Sequence, residues 1–315
     1  ENFNYAQAYQ HGMFGADMVL MEKKWTPTEK KAALQHVTRQ QVIDFGKHQL
    51  LHRCQLEMLI HGNVEAEEAC QLGQLWIDGL TPEAPFELPE DRIVQLPSNK
   101  TTVVRFPGFN PDNTNSVVEV VYEMGKLSLE ERAHLVFFQH VLKEPAFNVL
   151  RTEEQLGYIV HTSIHNSGTD IKGLLLLIQS DAYDPIHLDQ RVSAFMEGFR
   201  PKLVEAKDFR QNIQAVVQTL REKPKNLLQE STLYWDAISK RHYGFETVHE
   251  IADLVETKVT PTSVVRFYDK YLAADGNCCP KLSVQVFGSN HLDKLADDEA
   301  EFMTLQGASE FKRTA

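Results

Sequence analysis

The segment EPAFNVLRTEEQLGYIV, residues 144–160, joins a helical pattern to a strand pattern, and the rest of the chain extends from it. Pro145 has no backbone N–H to donate, so it favours the first turn of a new short helix. Gly157 marks the junction, and residues 158–160 begin a run of strand-forming side chains. We therefore expect helical structure before this junction and a sheet after it.

Patterns on both sides of the segment predict an α+β domain. Residues 166–170, NSGTD, are rich in turn formers and join two strand patterns into a hairpin. The predicted strands are 102–106, 116–123, 156–165, 170–179 and 281–287, and the predicted helices are 129–143, 185–204, 207–222, 226–241 and 261–273. Strands followed by a run of helices predict an antiparallel or mixed sheet with helices packed on one face.

The first 85 residues carry their own helix-start signals. Thr26 and Thr38 in this region, and Ser128 later in the chain, each precede a Glu or Gln by three residues, the spacing of a capping box. We expect helices to begin near residues 27, 39 and 129. The remaining predictions for this region are a helix at 4–23, a strand at 54–60 and a helix at 64–80.

Prolines mark the predicted domain boundary. Pro82, Pro85, Pro89 and Pro97 lie close together among acidic residues. Proline fixes φ and removes an amide donor, so this stretch favours an extended connector. We predict one region at 1–85, a proline-rich connector at 86–100 and a second region at 101–315.

Composition excludes several classes of function. The net charge of −12 disfavours binding to phosphate backbones, so we expect no nucleic-acid partner. No apolar run is long enough to span a membrane, and no signal-peptide pattern is present. The four cysteines, Cys54, Cys70, Cys278 and Cys279, lack disulfide-scaffold or zinc spacing, which indicates the cytoplasm. The missing initiator Met predicts a fragment of a longer protein.

The best local metal motif is incomplete. His48 and His52 lie four residues apart, as two zinc ligands on one helix face would. The position before the second histidine is Leu51, which cannot act as the general base of an inverzincin. We therefore expect no metal site here. The alternative, an independent metalloenzyme using both histidines, predicts stoichiometric zinc in the dialysed protein.

Arg151 and Tyr158 are the candidate chemical groups of the 144–160 segment. Arg151 offers a planar fork of donors, and Tyr158 offers one hydroxyl. Together they can bind a peptide carbonyl or support an oxyanion. The alternative from the residues alone is an arginine in a salt bridge beside a core tyrosine.

The same segment resembles the C-terminal half of the pitrilysin-type inverzincin zinc metallopeptidases, the family of the insulin-degrading enzymes. Further similar segments occur in the same order along nearly the whole chain. They are ENFNYAQAY at 1–9, LIHGN at 59–63, EKPKNL at 222–227, YW at 234–235 and FKR at 311–313.

The resemblance implies a fold and separate roles for the two halves of the enzyme. Members contain four homologous α+β domains (LuxS/MPP-like) whose two halves enclose a chamber that selects small or unfolded peptides. Residues 1–85 would be the tail of the third domain and 101–315 the fourth, about one and a third domains in all. Zinc would bind in the N-terminal half, so this chain would hold no metal and be inactive alone.

The resemblance also assigns residues. Arg151 and Tyr158 match positions that contact the peptide near the scissile bond, and Phe147 and Asn148 match residues that line the same surface. Peptides also dock in this family by strand addition. The implied partners are the N-terminal half of the same enzyme, peptide substrates and a second copy in a homodimer.

A weaker match concerns polyanions. Lys223 and Lys225 keep the positive charge of a loop that binds ATP and other polyanions in relatives. Thr219 and Leu220 stand where those relatives carry arginines, and Asn226 replaces a third cation. Polyanion binding and a connector with solvated lysines both stay open.

Two functions follow from the resemblance. The first is the substrate-binding C-terminal half of a zinc metalloendopeptidase. The alternative is a non-catalytic scaffold subunit of the same fold, which predicts no hydrolysis even when an N-terminal half is added.

Overall fold

Five strands form one mixed sheet in the computed structural model, which describes residues 2–50, 55–80, 92–98, 100–168, 170–204, 208–273, 280–296 and 301–314. The strands are β1 (Thr101–Pro107), β2 (Ser116–Lys126), β3 (Ile159–Ser167), β4 (Ile171–Ser180) and β5 (Lys281–Phe287). Their order is β1-β5-β2-β4-β3, with β1 and β5 parallel and every other pair antiparallel.

Helices account for most of the remaining regular structure. They are α1 (Ala8–Leu20), α2 (Pro27–Leu34), α3 (Arg39–Phe45), α4 (Ala66–Gly79), α5 (Leu129–Ala146), α6 (Pro185–Val204), α7 (Phe209–Leu220), α8 (Leu227–Ser239), α9 (Thr247–Lys258), α10 (Pro261–Tyr271) and α11 (Leu305–Thr314). Two π-helical segments, Gly46–Leu50 and Phe147–Glu153, and two 3-10 segments, Asn2–Tyr5 and Ser289–Lys294, complete the set.

The chain divides into two compact units. The first unit comprises residues 1–24, 92–222 and 246–315, and the second comprises 25–91 and 223–245. This division differs from the proline-based boundary, because α1 packs on the sheet and α8 belongs with residues 25–91. The assignment of 1–85 and 101–315 to a third and a fourth peptidase-like domain remains a prediction.

The larger core of the first unit lies between the sheet and five helices. Side chains from β2 and β4, including Val120 and Leu176, meet Phe138 of α5 and Tyr268 of α10. Helices α6, α7 and α9 contribute to the same cluster. Because β2 and β4 are central strands, they are apolar along most of their length, as strands covered on both faces are.

Helix α1 covers the opposite face of the sheet. Val19 and Leu20 pack on a second core with Val117 and Val284. The approach is close, because a Cβ atom added at Gly15 would lie 2.6 Å from Cγ1 of Val284. The predicted α+β class with a mixed sheet is confirmed, and α1 adds a layer on the face that the prediction left uncovered.

The second unit contains α2, α3, α4 and α8. The Nδ1 atom of His61 lies 2.8 Å from Oγ of Ser231, and the Tyr243 hydroxyl donates to Glu57 at 2.6 Å. These polar contacts join the segment before α4 to α8 and the residues that follow it.

Several local predictions are confirmed and others are wrong. Helices start at residues 27, 39 and 129 as expected, and the hairpin forms β3 and β4. The predicted strand at 54–60 is wrong, because residues 55–60 pair with no strand. The first helix is shorter than 4–23, and Pro145 lies inside α5 instead of starting a new helix. Helices α9 and α11 were not predicted. Residues 86–91 and 99 of the predicted connector lie outside the described residues, as do Pro82, Pro85 and Pro89.

Candidate functional site

The candidate site is built on the widened turn Phe147–Glu153 that continues α5. Its backbone closes with a bond from the Glu154 N–H to the Val149 carbonyl at 2.9 Å. The Leu156 N–H then donates to the Leu150 carbonyl at 3.0 Å. Both leucines are buried in the main core, so their packing fixes the position of the turn. Such π-type turns are rare and are enriched at functional sites.

Arg151 lies close to two aromatic rings. Its Cζ atom is 4.7 Å from the centroid of the Phe147 ring and 5.1 Å from that of the Tyr158 ring. Tyr158 is 80% exposed and Phe147 is 40% exposed, and Asn148 is also on the surface. The structure therefore groups a partly exposed Arg151 with Phe147 and Tyr158, and Asn148 follows Phe147 in the chain; we call these four residues the Arg151 platform.

This arrangement overturns the alternative of a salt-bridged arginine beside a core tyrosine. Tyr158 is outside the core, and no carboxylate of a described residue forms an ion pair with Arg151. A cation is attracted to the face of an aromatic ring, so both rings stabilise the guanidinium. A guanidinium carries its N–H donors in its own plane.

A sharp turn between residues 154 and 158 brings Tyr158 back beside Arg151. Gln155 has a φ of 52°, in the left-handed region that few non-glycine residues adopt. At Gly157 the chain runs against β4, where an added Cβ atom would lie 2.1 Å from the Gln179 carbonyl oxygen. Any side chain larger than hydrogen at Gly157 would push this turn away from the sheet.

An ion pair ties this turn to helix α6. The Arg191 guanidinium donates two parallel hydrogen bonds to Glu154, with Nε to Oε2 at 2.7 Å and Nη2 to Oε1 at 2.8 Å. Hydrogen bonding from Arg191 lowers the pKa of Glu154 below its usual value. The sequence does not reveal Arg191, since 37 residues separate it from Glu154 and it lies outside the 144–160 segment.

Tyr158 immediately precedes β3, which is an edge strand of the sheet. Among the described residues no strand pairs with the outer side of β3. The other edge differs, because Met303 forms two backbone bonds with β1, to Val103 and from Arg105, each at 2.9 Å.

The predicted polyanion residues lie in the second unit. Lys223 and Lys225 are both exposed. Asn226 is the N-cap of α8, because its side chain accepts a hydrogen bond from the Gln229 N–H at 2.9 Å. The asparagine thus has a structural reason for its position, and polyanion binding remains a prediction.

The structure contains no candidate metal cluster in its described part, where no group of three His, Cys, Asp or Glu side chains could hold an ion. His48 is exposed in a π-helical segment, and His52 lies outside the described residues. Three of the four cysteines, Cys54, Cys278 and Cys279, also lie outside them, while Cys70 is exposed and free. Within the same limits, no helix is long and apolar enough to cross a membrane.

Comparisons with known proteins show what this chain is similar to. Residues 137–235, which include the Arg151 platform, match the model of "PQQ synthase PqqF-like, C-terminal lobe domain 4". The insulin-degrading enzyme of Homo sapiens is 33% identical over 293 residues, covering 90% of this chain. The chain is a homologue of the C-terminal part of the insulin-degrading enzymes.

A plant relative matches over a similar length. "Insulin-degrading enzyme-like 1, peroxisomal" of Arabidopsis thaliana is 30% identical over 96% of this chain. The fold agrees with that of pitrilysin, whose crystal structure superposes with a TM-score of 0.83 over 99% of this chain at 20% identity.

The homologous region is only part of each relative. The chain spans 28% of the human insulin-degrading enzyme, 32% of the Arabidopsis protein and 33% of the pitrilysin chain. Since one relative is named as peroxisomal, the predicted cytoplasmic location remains a prediction, as does the homodimer.

Proposed function

We propose that this chain is the C-terminal substrate-binding part of a zinc metalloendopeptidase that hydrolyses small or unfolded peptides in an enclosed chamber. The observation that carries the proposal is the Arg151 platform, a partly exposed arginine whose guanidinium lies over two exposed aromatic rings. A domain with a purely scaffolding role has no evident use for an arginine placed against two exposed rings in this way.

Each residue of the platform has a proposed task. The Arg151 guanidinium donates hydrogen bonds to a carbonyl oxygen of the peptide, and the Tyr158 hydroxyl donates to a neighbouring acceptor. Phe147 and Asn148 line the surface beside them, which supplies apolar contact and one amide group. The unpaired side of β3 begins next to Tyr158, so an extended peptide held there can also pair with its backbone.

Zinc belongs to another part of this proposal. The donor sets among the described residues do not fit a zinc site, so we derive no step of hydrolysis from this chain. We assign the zinc to the N-terminal part of the enzyme, which would also be the partner of this chain. The platform would then orient the peptide strand toward that part.

Peptide binding to the chain tests the proposal directly. Fluorescein-labelled insulin B chain is titrated with the protein, and the dissociation constant is measured by fluorescence anisotropy. We expect Arg151→Ala to weaken binding by roughly tenfold or more, because hydrogen bonds from charged donors stabilise by about 1.5–3 kcal/mol. Tyr158→Phe should weaken it about threefold, since one neutral hydrogen bond is lost.

Two matched controls make the result specific. Tyr5 is 77% exposed, close to the exposure of Tyr158, and Arg210 is exposed on α7. Tyr5→Phe and Arg210→Ala should leave the dissociation constant unchanged. Equal losses in the controls and in the platform variants would contradict a specific peptide site.

Addition of the N-terminal part separates the two functions that the sequence left open. The chain alone should not hydrolyse the labelled peptide, and a mixture with the N-terminal part should. Arg151→Ala should then lower the rate of that mixture. A scaffold subunit would give no hydrolysis in either case, and hydrolysis by the chain alone would contradict both functions.

A further inference from the structure

We propose that Glu154 and Arg191 are positioning residues. Their ion pair keeps the side chains of Arg151 and Tyr158 next to each other. The inference rests on the proposed function and adds to it the group that orients the peptide-binding side chains. Arg151 lies three residues before Glu154 and Tyr158 lies four residues after it, so the ion pair restrains the middle of the segment that joins them.

The Arg191 end of the pair is rigid. Leu188 and Val192, on the same helix, are fully buried in the main core. Arg191 therefore extends from a backbone that cannot shift without repacking that core. Its planar fork fixes both the distance and the direction of the carboxylate that it binds.

The backbone around Glu154 is less regular than that around Arg191, so the ion pair has more effect on its position. It lies between the last π-type turn and the first residue of β3, where no regular hydrogen-bond ladder continues. The following residue, Gln155, adopts a strained left-handed conformation, which persists only where the surroundings enforce it. Loss of the ion pair should therefore allow residues 154–158 to relax and Tyr158 to move away from Arg151.

A second ion pair on the same helix provides a matched control. Arg200 of α6 donates two hydrogen bonds to Asp269 of α10, at 2.6 Å and 2.8 Å. Its chemistry equals that of the Arg191 pair, but it joins two regular helices that the core already fixes. If any bidentate ion pair on α6 mattered equally, variants of both pairs would have the same effect on peptide binding.

The test combines hydrogen exchange with binding of labelled insulin B chain. Arg191→Ala should speed exchange of the amides at 154–158 and weaken binding by about tenfold, since small misplacements of binding groups are costly. Arg191→Lys should lose part of the affinity, because an ammonium group cannot form the planar fork. Arg200→Ala should change neither the exchange of this segment nor the affinity.

Two further variants test whether Arg191 affects peptide binding through Glu154 and Tyr158. Glu154→Arg combined with Arg191→Glu should recover part of the affinity, because the reversed charges can pair again. In a Tyr158→Ala background, Arg191→Ala should weaken binding less than it does in the original protein. Full additivity would overturn the proposal, since the ion pair would then act independently of Tyr158.

The outcomes also separate the two proposals. If the unaltered chain binds no peptide, the proposed function fails, and exchange at 154–158 still tests whether the ion pair holds this segment. If the unaltered chain binds peptide through Arg151 but Arg191→Ala leaves the affinity and the exchange unchanged, only the positioning role fails.

Discussion

The two compact units contain similar helices but bury them very differently. In the first unit, Phe138 of α5 has no exposed surface and belongs to a core shared by the sheet and five helices. In the second unit, Trp76 of α4 is 62% exposed. Within the described part of that unit only Gly73 and Ala237 are buried. An apolar stripe on a helix therefore predicts the helix, but it does not predict that the stripe is covered.

The second unit exposes large apolar side chains on α4 and α8, among them Leu75 and Trp235. Exposed apolar patches of this kind commonly mark surfaces that pack against other protein. We therefore expect these side chains of the second unit to pack against other protein.

The largest effect should come from Phe138→Ala. Removing a fully buried aromatic side chain typically costs about 3–5 kcal/mol, because transfer energy and cavity energy add. Trp76→Ala is the matched change in the second unit, and its cost should be within about 0.5 kcal/mol, since the side chain is largely solvated. Urea unfolding followed by circular dichroism measures both changes.

Hydrogen exchange then assigns each loss to a unit. Phe138→Ala should raise exchange across β2, β4 and α5 and leave α4 unchanged. If Trp76→Ala destabilised the protein as much as Phe138→Ala, the contrast between the units would be wrong.

A smaller effect should come from a buried acid in the first unit. Glu119 on β2 is 1% exposed beneath α1, and burial together with the charge of Asp17 raises its pKa to about 8. The folded state therefore holds this proton more tightly than the unfolded chain, in which the pKa is about 4.5. The free energy of unfolding should fall as pH rises from about 4.5 to 8, by on the order of a few kcal/mol.

Glu119→Gln should flatten this part of the pH profile, because an amide does not titrate. Thermal unfolding at several pH values measures the slope. Glu130→Gln is the control, since Glu130 is exposed at the start of α5. An unchanged slope in Glu119→Gln would show that another group controls the pH dependence; Glu123, whose pKa burial raises to about 7, would be the next to test.

The contrast between the units also explains which structures the sequence could predict. Capping boxes and the hairpin depend on residues a few positions apart, and these predictions were confirmed. Residues 55–60 have alternating side chains, but a strand needs a partner that the sequence cannot supply. In the structure Met58 instead packs toward Gly73 of α4.

The candidate site shows the same limit. The resemblance predicted a shared surface for Phe147, Asn148, Arg151 and Tyr158. In the structure Arg151 lies close to the rings of Phe147 and Tyr158. The residues alone left open a salt bridge for Arg151, because periodicity does not show which rings will flank a side chain. Arg191 could not be predicted, since its partnership with Glu154 depends on how α6 packs beneath the sheet.

The smallest effects should come from two equivalent helix caps. Ser128 accepts a bond from the Glu131 N–H at 3.2 Å, and Thr26 accepts one from the Glu29 N–H at 3.1 Å. Replacing either cap by alanine removes about 1 kcal/mol of local stabilisation. The two caps are alike, so any difference between the effects of the two substitutions must come from the helices that the caps begin.

The two substitutions should affect the first and second units differently. Helix α5 has 18 residues and a buried face, so Ser128→Ala should lower the unfolding free energy of the first unit by about 1 kcal/mol without melting the helix. Helix α2 has 8 residues and no buried residue, and such short helices are marginal without tertiary packing. Thr26→Ala should therefore speed amide exchange within α2 alone and leave the urea transition in place. A shift of that transition by Thr26→Ala would mean that α2 unfolds together with the larger core.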